Sequence, residues 1–321
     1  MSRTPICVVA LMVMLMMFAA PSSWAAVALL FGDEGGKVAF YNSSNHPDSE
    51  EPVPLGPLSF RVDGNEFWVA DSVAGRVYRL DGNGKVLTTI KVATGDIVLL
   101  EDIGLARGPD GAVTSVWVLS GGKQEIAQFS PDGKPLKIFG GRGEGPGQFL
   151  QIHRIEVGAS GRLYIADKGR QKIFVFGPDL KLEREETWQW SGFCLDEKEN
   201  LCRLLWDDKA KVTKLVVQSP DGKPVKTVVL DIGKHSDPEL WFMNAKGEAC
   251  LTFVPPEGFK GTFKFAACGA NGKPVLVTDL KQPLAMNRFI DQAAKGSLFL
   301  GVADYTNAPK GDFKIEPWSA K

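Results

Sequence analysis

The sequence of 321 residues contains few of the residues on which common catalytic and metal sites depend. It has three histidines, His46, His153 and His235, and five cysteines, and these form no cluster with the spacing of zinc ligands. It also lacks a Gly-x4-Gly-Lys phosphate loop, a Gly-x-Ser-x-Gly elbow, a His-Glu-x-x-His helix and a Cys-x-x-Cys-His haem motif. The chain therefore shows no complete catalytic motif of a familiar class.

The chain also has no large excess of positive or negative charge, and it has only one long apolar run. The formal net charge is −1, which does not indicate nucleic acid or an anionic membrane as a partner. The one long apolar run covers residues 6–20 and is followed by small residues at Ser23 and Ala25. A membrane anchor is the alternative, but a spanning helix needs about 20 apolar residues. We therefore predict a cleaved signal peptide at 1–25, a single mature domain at 26–321, and a periplasmic or secreted location.

Four cysteines follow the predicted signal peptide, and an even number in an exported chain favours disulfides. Cys194 and Cys202 flank a polar stretch symmetrically, and Cys250 and Cys268 flank a turn-rich stretch in the same way. Positions that face each other in an antiparallel hairpin are close enough to bridge. We predict the pairs 194–202 and 250–268, with four free thiols as the alternative.

Short alternating apolar segments bounded by Gly, Pro, Asp and Asn predict strands and turns along the mature chain. A turn of the form Asp-Gly-Lys, or a variant of it, recurs at intervals of 42 to 50 residues, at 83–85, 132–134, 179–181, 221–223 and 271–273. This is the size of a four-stranded propeller blade. We predict an all-β, six-bladed propeller with about four antiparallel strands per blade. The N-terminal segments 27–31 and 37–41 are expected to complete the last blade and close the ring.

Two units carry a more specific pattern. Residues 60–71 and 161–167 both contain a strand that ends in Ala-Asp, and each is followed by a short turn and a second strand. They resemble the NHL-repeat propeller family. The recurrence of Asp71 and Asp167 indicates carboxylates that accept backbone hydrogen bonds at strand ends. The aromatic side chains Trp68, Trp117 and Tyr164 align between repeats and are predicted to pack between blades.

One mouth of the central channel is the predicted site, because side chains from different blades meet there. Aligned repeats place Leu58, Ile103, His153, Ser191, Glu239 and Asn287 at equivalent positions around it. Candidate functional residues are His153, Glu239 and Asn287, followed directly by Arg154 and Arg288. Nearby, Trp188 and Trp190 interrupt the repeat and are predicted either to line a mouth or partner surface or to be buried in an edge strand.

The segment 148–153 is similar to one in peptidyl-α-hydroxyglycine amidating lyases, NHL-type propellers that hold zinc with several histidines. Only His153 is present here, which excludes a three-histidine site. That resemblance, and a looser one to gluconolactonase-like propellers, leaves open a Ca²⁺ site made by His153, Glu239 and Asn287.

We therefore expect an exported, non-catalytic propeller that binds a protein or small-molecule partner through its channel face. The alternatives are a metal-dependent lyase or lactone hydrolase that uses those three residues, and a structural subunit of an envelope complex.

Overall fold

A computed structural model describes residues 25–42, 54–92, 99–281, 286–293 and 296–319. The predicted signal peptide therefore lies, except for Ala25, outside the described residues. Among the described residues, no helix is long and apolar enough to cross a membrane.

The described residues form six four-stranded antiparallel sheets arranged as the blades of a propeller. Blade 1 contains β2 (Ser59–Asp63), β3 (Glu66–Asp71), β4 (Arg76–Asp81) and β5 (Val86–Lys91). Blade 2 contains β6 (Leu100–Arg107), β7 (Val113–Ser120), β8 (Glu125–Phe129) and β9 (Pro135–Gly140). Blade 3 contains β10 (Ile152–Val157), β11 (Leu163–Asp167), β12 (Lys172–Phe176) and β13 (Leu182–Thr187). Blade 4 contains β14 (Phe193–Leu195), β15 (Leu201–Asp207), β16 (Val212–Gln218) and β17 (Pro224–Val229). Blade 5 contains β18 (Ser236–Met243), β19 (Ala249–Val254), β20 (Thr262–Cys268) and β21 (Pro274–Lys281). Blade 6 contains β22 (Ile290–Gln292), β23 (Leu298–Ala303), β24 (Asp312–Trp318) and β1 (Val27–Leu30). The predicted fold class is confirmed.

The first strand of the chain closes the ring, as predicted. β1 pairs with β24, with Val27 opposite Ile315, and so forms the outermost strand of the last blade. The prediction that 37–41 supplies a second closing strand is wrong, because the innermost strand of blade 6 is β22. Instead, Val38 and Phe40 pack in the core between blades 6 and 1, and the Ala39 N–H donates to Asp71 at 3.0 Å.

The recurring turns form where the sequence predicted them, because glycine permits the left-handed backbone that they require. Gly133 and Gly222 adopt φ values of 93° and 83°. In the third turn Leu180 takes the same place and adopts φ 63° without the help of glycine. These local turns connect the two outer strands of blades 1 to 5.

The core consists of apolar clusters, most of which lie where neighbouring blades face each other. Trp68, Trp117 and Tyr164 are almost fully buried and belong to three different clusters, which confirms their predicted packing. Asp167 accepts the N–H groups of Leu150 and Gln151 at 2.8 and 3.0 Å, in agreement with its predicted structural role. The recurring aromatic and Ala-Asp positions therefore hold the scaffold together and are not the site.

The structure shows no disulfide at either predicted pair, since all four described cysteines are buried free thiols. Cys194 lies directly opposite Cys202, as symmetry predicted, but the two sulfurs are not bonded. In blade 5 the pairing differs by one residue from the predicted one. Cys250 lies opposite Ala267, and Cys268 lies opposite Ala249. Because neighbouring positions point to opposite faces of a sheet, Cys250 and Cys268 pack in different clusters and cannot bridge.

Peptide mapping under non-reducing conditions tests this register. We expect no peptide that joins Cys250 to Cys268 even after mild oxidation, because a bond would require β19 and β20 to slip by one residue. Cys194 and Cys202 are the internal control, since both pack in the same cluster and face each other. Recovery of a 250–268 peptide from folded protein would show that the pairing in blade 5 is wrong.

Candidate functional site

The candidate site lies where the inner strands of the blades begin, at one mouth of the channel. The pairing of β10 with β11 shifts at His153, and the pairing of β6 with β7 shifts at Glu101. Such bulges redirect a side chain from the regular alternation of the strand. The bulge in blade 2 makes Glu101, and not the predicted Ile103, the counterpart of His153. Ile103 is wrong as a mouth residue, since it is fully buried in a hydrophobic cluster.

Directly below this mouth, buried ion pairs fill the centre of the ring. Arg288 donates from Nε and Nη2 to the two oxygens of Asp102 at 2.9 and 2.8 Å, and Nη2 also reaches Glu156 at 2.9 Å. Asp102 accepts further hydrogen bonds from the Ser59 hydroxyl and the Ile155 N–H. Burial alone would raise the pKa of Asp102, but the neighbouring Arg288 holds it below its ordinary value.

Arg154 connects three blades at the same level. Its guanidinium donates to the Leu240 carbonyl at 3.1 Å, to Glu239 Oε1 at 2.8 Å and to the Asn287 carbonyl at 3.1 Å. Its guanidinium carbon also lies 4.6 Å from the centre of the Trp241 ring. With five donors in a fixed plane, arginine is suited to such a junction. Arg154 is therefore a buried structural cation that uses three of its five donors to join these blades.

A third buried arginine, Arg61, also binds carboxylates inside the ring. Arg61 donates to both oxygens of Glu156 at 3.2 and 3.0 Å, and its Nε lies 3.8 Å from Asp291. Burial would raise the pKa of Glu156, yet Arg61 and Arg288 together keep it below its ordinary value. The three arginines Arg61, Arg154 and Arg288 and their carboxylate partners form what we call the channel plug. Arg154, Glu156 and Arg288 are buried, so the plug occupies the interior of the ring below the mouth.

Several polar side chains around the mouth, above the plug, have few hydrogen-bond or ion-pair partners. Lys168, in the turn after β11, forms no ion pair with any described residue. Partial burial lowers its pKa, while Glu101 and Glu239 act in the opposite direction. Burial also raises the pKa of Glu101, which accepts a hydrogen bond from the Asn287 amide. Lys168 is thus a partly desolvated cation near two carboxyls that are already held by other residues.

His153 lies beside Lys168 at the mouth. Its ring stacks on buried Trp188, with 6.1 Å between ring centres and 30° between planes, and it forms no hydrogen bond with a described side chain. Burial lowers the pKa of His153 well below 6.5, and the positive charges of Lys168 and Arg154 lower it further. At neutral pH the mouth therefore contains an uncharged imidazole that can either donate or accept a hydrogen bond.

The depressed pKa gives a testable pH dependence. Between the folded pKa of His153 and about 6.5, the unfolded chain binds the proton more readily, so stability should decrease as pH falls through this range. We expect the His153 ring carbon signals in NMR spectra to titrate with a midpoint clearly below pH 6.5. His153→Phe should remove part of the decrease in stability that occurs as pH falls. The same histidine titrated in urea is the control. A folded-state midpoint at or above 6.5 would contradict the environment described.

The predicted mouth residues thus have different roles. His153, Glu239 and Asn287 do lie around one mouth, but Glu239 is held by Arg154, and the Asn287 amide donates to Glu101. Among the described residues, no group of three or more His, Cys, Asp and Glu side chains is placed to hold a metal ion. Arg288 lies in the plug and not at the mouth.

Sequence reasoning missed Arg61, Glu101, Asp102, Glu156 and Lys168. A signal exists for three of them, Arg61, Asp102 and Glu156, because charged residues interrupt otherwise apolar inner strands. Arg154 and Glu156 are two residues apart on the channel side of β10, and Asp102 occupies the corresponding place in β6. The position of Lys168 could not be read in this way, since it follows a strand end in an ordinary turn.

Comparison with known proteins agrees with this architecture. The sequence profile of the family described as "DUF5128: 6-bladed beta-propeller" matches residues 84–227, which is less than half of the chain. No curated protein matches the sequence. The NHL-repeat resemblance is not confirmed by these comparisons.

Several solved structures are similar in fold. Hydrazine synthase of Kuenenia stuttgartiensis superposes with a TM-score of 0.51 at 17% identity, covering 82% of this chain and 77% of that one. A streptogramin B lyase gives 0.51 at 14% identity, with coverage of 84% and 96%. Virginiamycin B lyase from Staphylococcus aureus also gives 0.51 at 14% identity, with coverage of 81% and 94%. At such identities the likeness extends to the propeller fold alone.

Proposed function

We propose that this protein is an exported, non-catalytic propeller that binds a small molecule or a segment of a protein partner in the mouth above the channel plug. The observation that carries the proposal is a pair of side chains there whose polar atoms are not used by the protein itself. Lys168 has no ion-pair partner and His153 has no hydrogen-bond partner among the described residues, although both are partly or largely buried. The side-chain nitrogens of both residues are not among the fully buried atoms that lack a partner, so a ligand can reach them.

An exposed aromatic ring on the rim supports this proposal. Trp190 is 56% exposed, and its indole N–H donates to the Lys168 carbonyl at 3.2 Å. Its backbone has φ 60°, a left-handed conformation that is unfavourable for a bulky residue. By contrast, Trp188 is buried under His153. A fixed, exposed tryptophan beside an unpaired lysine provides an apolar contact and a charge within one small area.

The mouth does not favour the metal-dependent lyase or lactone hydrolase that the sequence left open. Its carboxylate Glu239 is neutralised by Arg154, and the Asn287 amide nitrogen is directed to Glu101. A metal ion bound by Glu239 would lie beside the Arg154 guanidinium, and the repulsion between the two cations opposes such a site. We therefore propose recognition through Lys168, His153 and Trp190, with an acceptor group of the ligand placed at Lys168.

Binding experiments with the mature chain test this proposal. The probes are small carboxylates, N-acetyl amino acids and dipeptides, and tryptophan fluorescence reports their binding. We expect a ligand of the wild-type protein to bind Lys168→Met at least about tenfold more weakly, because a hydrogen bond to a charged group is lost. Trp190→Ala should weaken binding as well. The matched control is Lys226→Met on outer strand β17, which should bind as the wild type does. Equal affinity of the Lys168 variant, or no binding of any probe, would contradict the proposal.

A further inference from the structure

A second recess opens on the surface between blades 4 and 5. It has a volume of about 360 Å³, and its walls include Leu204, Trp206, Thr213, His235, Asp237 and Pro238. Residues of the channel plug and Lys168 do not line it. The recess is large enough for one ring-sized group, at the small end of the usual range for ligand pockets.

An aromatic wall forms one side of the recess. Trp206 is 41% exposed although it is a large apolar side chain. His235 packs edge-on against it at 6.3 Å between ring centres, and Phe253 packs behind His235 at 5.7 Å. The indole N–H of Trp206 is satisfied by Asp208 at 3.0 Å. These contacts fix the ring in place and leave a large part of it in contact with solvent.

Hydrogen bonds fix His235 as part of this wall. Its Nδ1 lies 2.7 Å from the Gly233 carbonyl, which can only accept, so Nδ1 carries a hydrogen. Nε2 lies 2.7 Å from the hydroxyl of buried Thr213. In the neutral ring, Nε2 accepts the hydroxyl proton of Thr213. Both nitrogens are thus used by the protein, and the imidazole offers a ligand its ring and not a free polar atom.

Among the residues that line the recess, Asp237 is the one with a charged side chain. Asp237 lies on its wall, is exposed, and forms no ion pair with a described residue. Asp208 lies at the indole, but it is paired with Lys211 at 3.7 Å, so Asp237 is the carboxylate available to a ligand. An aromatic ring beside an unpaired carboxylate attracts an organic cation, because the negative face of the ring and the carboxylate act together.

We propose that this recess binds a compact organic cation, such as a quaternary ammonium group, against Trp206 with Asp237 as the counter-charge. The recess adjoins the mouth, since Gln189 and Ser191 also line it, but Lys168, His153 and the channel plug do not. An apolar group alone would not use Asp237, and an anion would be repelled by it. The occupant is therefore an alkylammonium small molecule and not a fatty or acidic one.

NMR titration of the Trp206 indole N–H signal, assigned with Trp206→Phe, tests this inference. The probes are choline, its uncharged isostere 3,3-dimethylbutan-1-ol, and the anion pivalate. We expect saturable shifts with choline, binding about five- to tenfold weaker for the isostere, and none for pivalate. Asp237→Asn should lower the affinity for choline to nearly that for the isostere. Trp206→Ala, whose binding is measured by calorimetry, should abolish the preference for choline.

The Lys168→Met variant separates this proposal from the proposed function. It should bind choline as the wild type does, because Lys168 does not line the recess. Equal binding of choline and its isostere, or an unmoved Trp206 signal at the highest choline concentration that leaves the protein folded, would overturn the assignment. Loss of choline binding in Lys168→Met would place the cation at the mouth and also overturn it.

Discussion

Replacing Arg288 with methionine is expected to lower the free energy of unfolding by about 3 to 5 kcal/mol, because the change leaves buried carboxylates without their cation. Asp102 would lose two hydrogen bonds and Glu156 would lose one. Urea denaturation of the mature chain at neutral pH measures the loss. The matched control is Lys181→Met, which removes a solvent-exposed pair with Asp179 and should leave the free energy of unfolding almost unchanged.

The pH dependence of this effect has a definite sign. Arg288 holds the pKa of Asp102 below its ordinary value in the folded protein, so the stabilisation is present above about pH 4. It is lost as pH falls toward the folded pKa. The difference between wild type and Arg288→Met should therefore be largest near neutral pH and smaller near pH 3. A neutral-pH loss no larger than that of Lys181→Met would show that the channel plug does not stabilise the fold.

Gly192→Ala should destabilise the protein by about 3 kcal/mol or more. Gly192 has φ 66°, and an added Cβ would lie 2.2 Å from the Leu240 carbonyl oxygen and 2.9 Å from Arg154 Nη1. The methyl group would thus separate blades 4 and 5 where Gly192 bridges Leu240, and it would displace Arg154 from the plug. The left-handed backbone alone costs an alanine about 1 to 2 kcal/mol, and the collision with backbone atoms adds to this.

Gly233→Ala is the matched control for this effect. Gly233 has φ 70°, and an added Cβ would meet no heavy atom within 4 Å. This variant should show the backbone cost of about 1 to 2 kcal/mol without the collision. Thermal and urea denaturation of the two variants measure the difference. Equal losses would mean that the close approach of blades 4 and 5 at Gly192 is not required.

The sequence predicted the blades because their determinants are local. The turns around Gly133 and Gly222 depend on the backbone freedom of a single residue, and they recur at blade period. Register inside a hairpin was predictable where the turn was short, as at Cys194 and Cys202. It failed at Cys250 and Cys268, where the connecting loop is longer and the pairing is displaced by one residue.

The candidate site was predicted less completely because its contacts cross the ring. Arg154 meets Glu239 across 85 residues of sequence, and Arg288 meets Asp102 across 186. Repeat alignment identified His153, Glu239 and Asn287 as neighbours of one mouth. It could not show that buried arginines neutralise the carboxylates, nor that a bulge replaces Ile103 with Glu101. Such pairing depends on which blades face each other across the channel.

The most direct test of the central claim, that ligands are recognised above the channel plug, is NMR titration of protein with ¹³C-methylated lysines. The Lys168 signal is assigned with Lys168→Arg, and the His153 ring signals are followed in the same sample. We expect a ligand from the carboxylate and peptide panel to shift Lys168 and His153 with one common midpoint while Lys226 on β17 stays unmoved. A ligand that saturates the protein without moving Lys168 and His153 would contradict the claim.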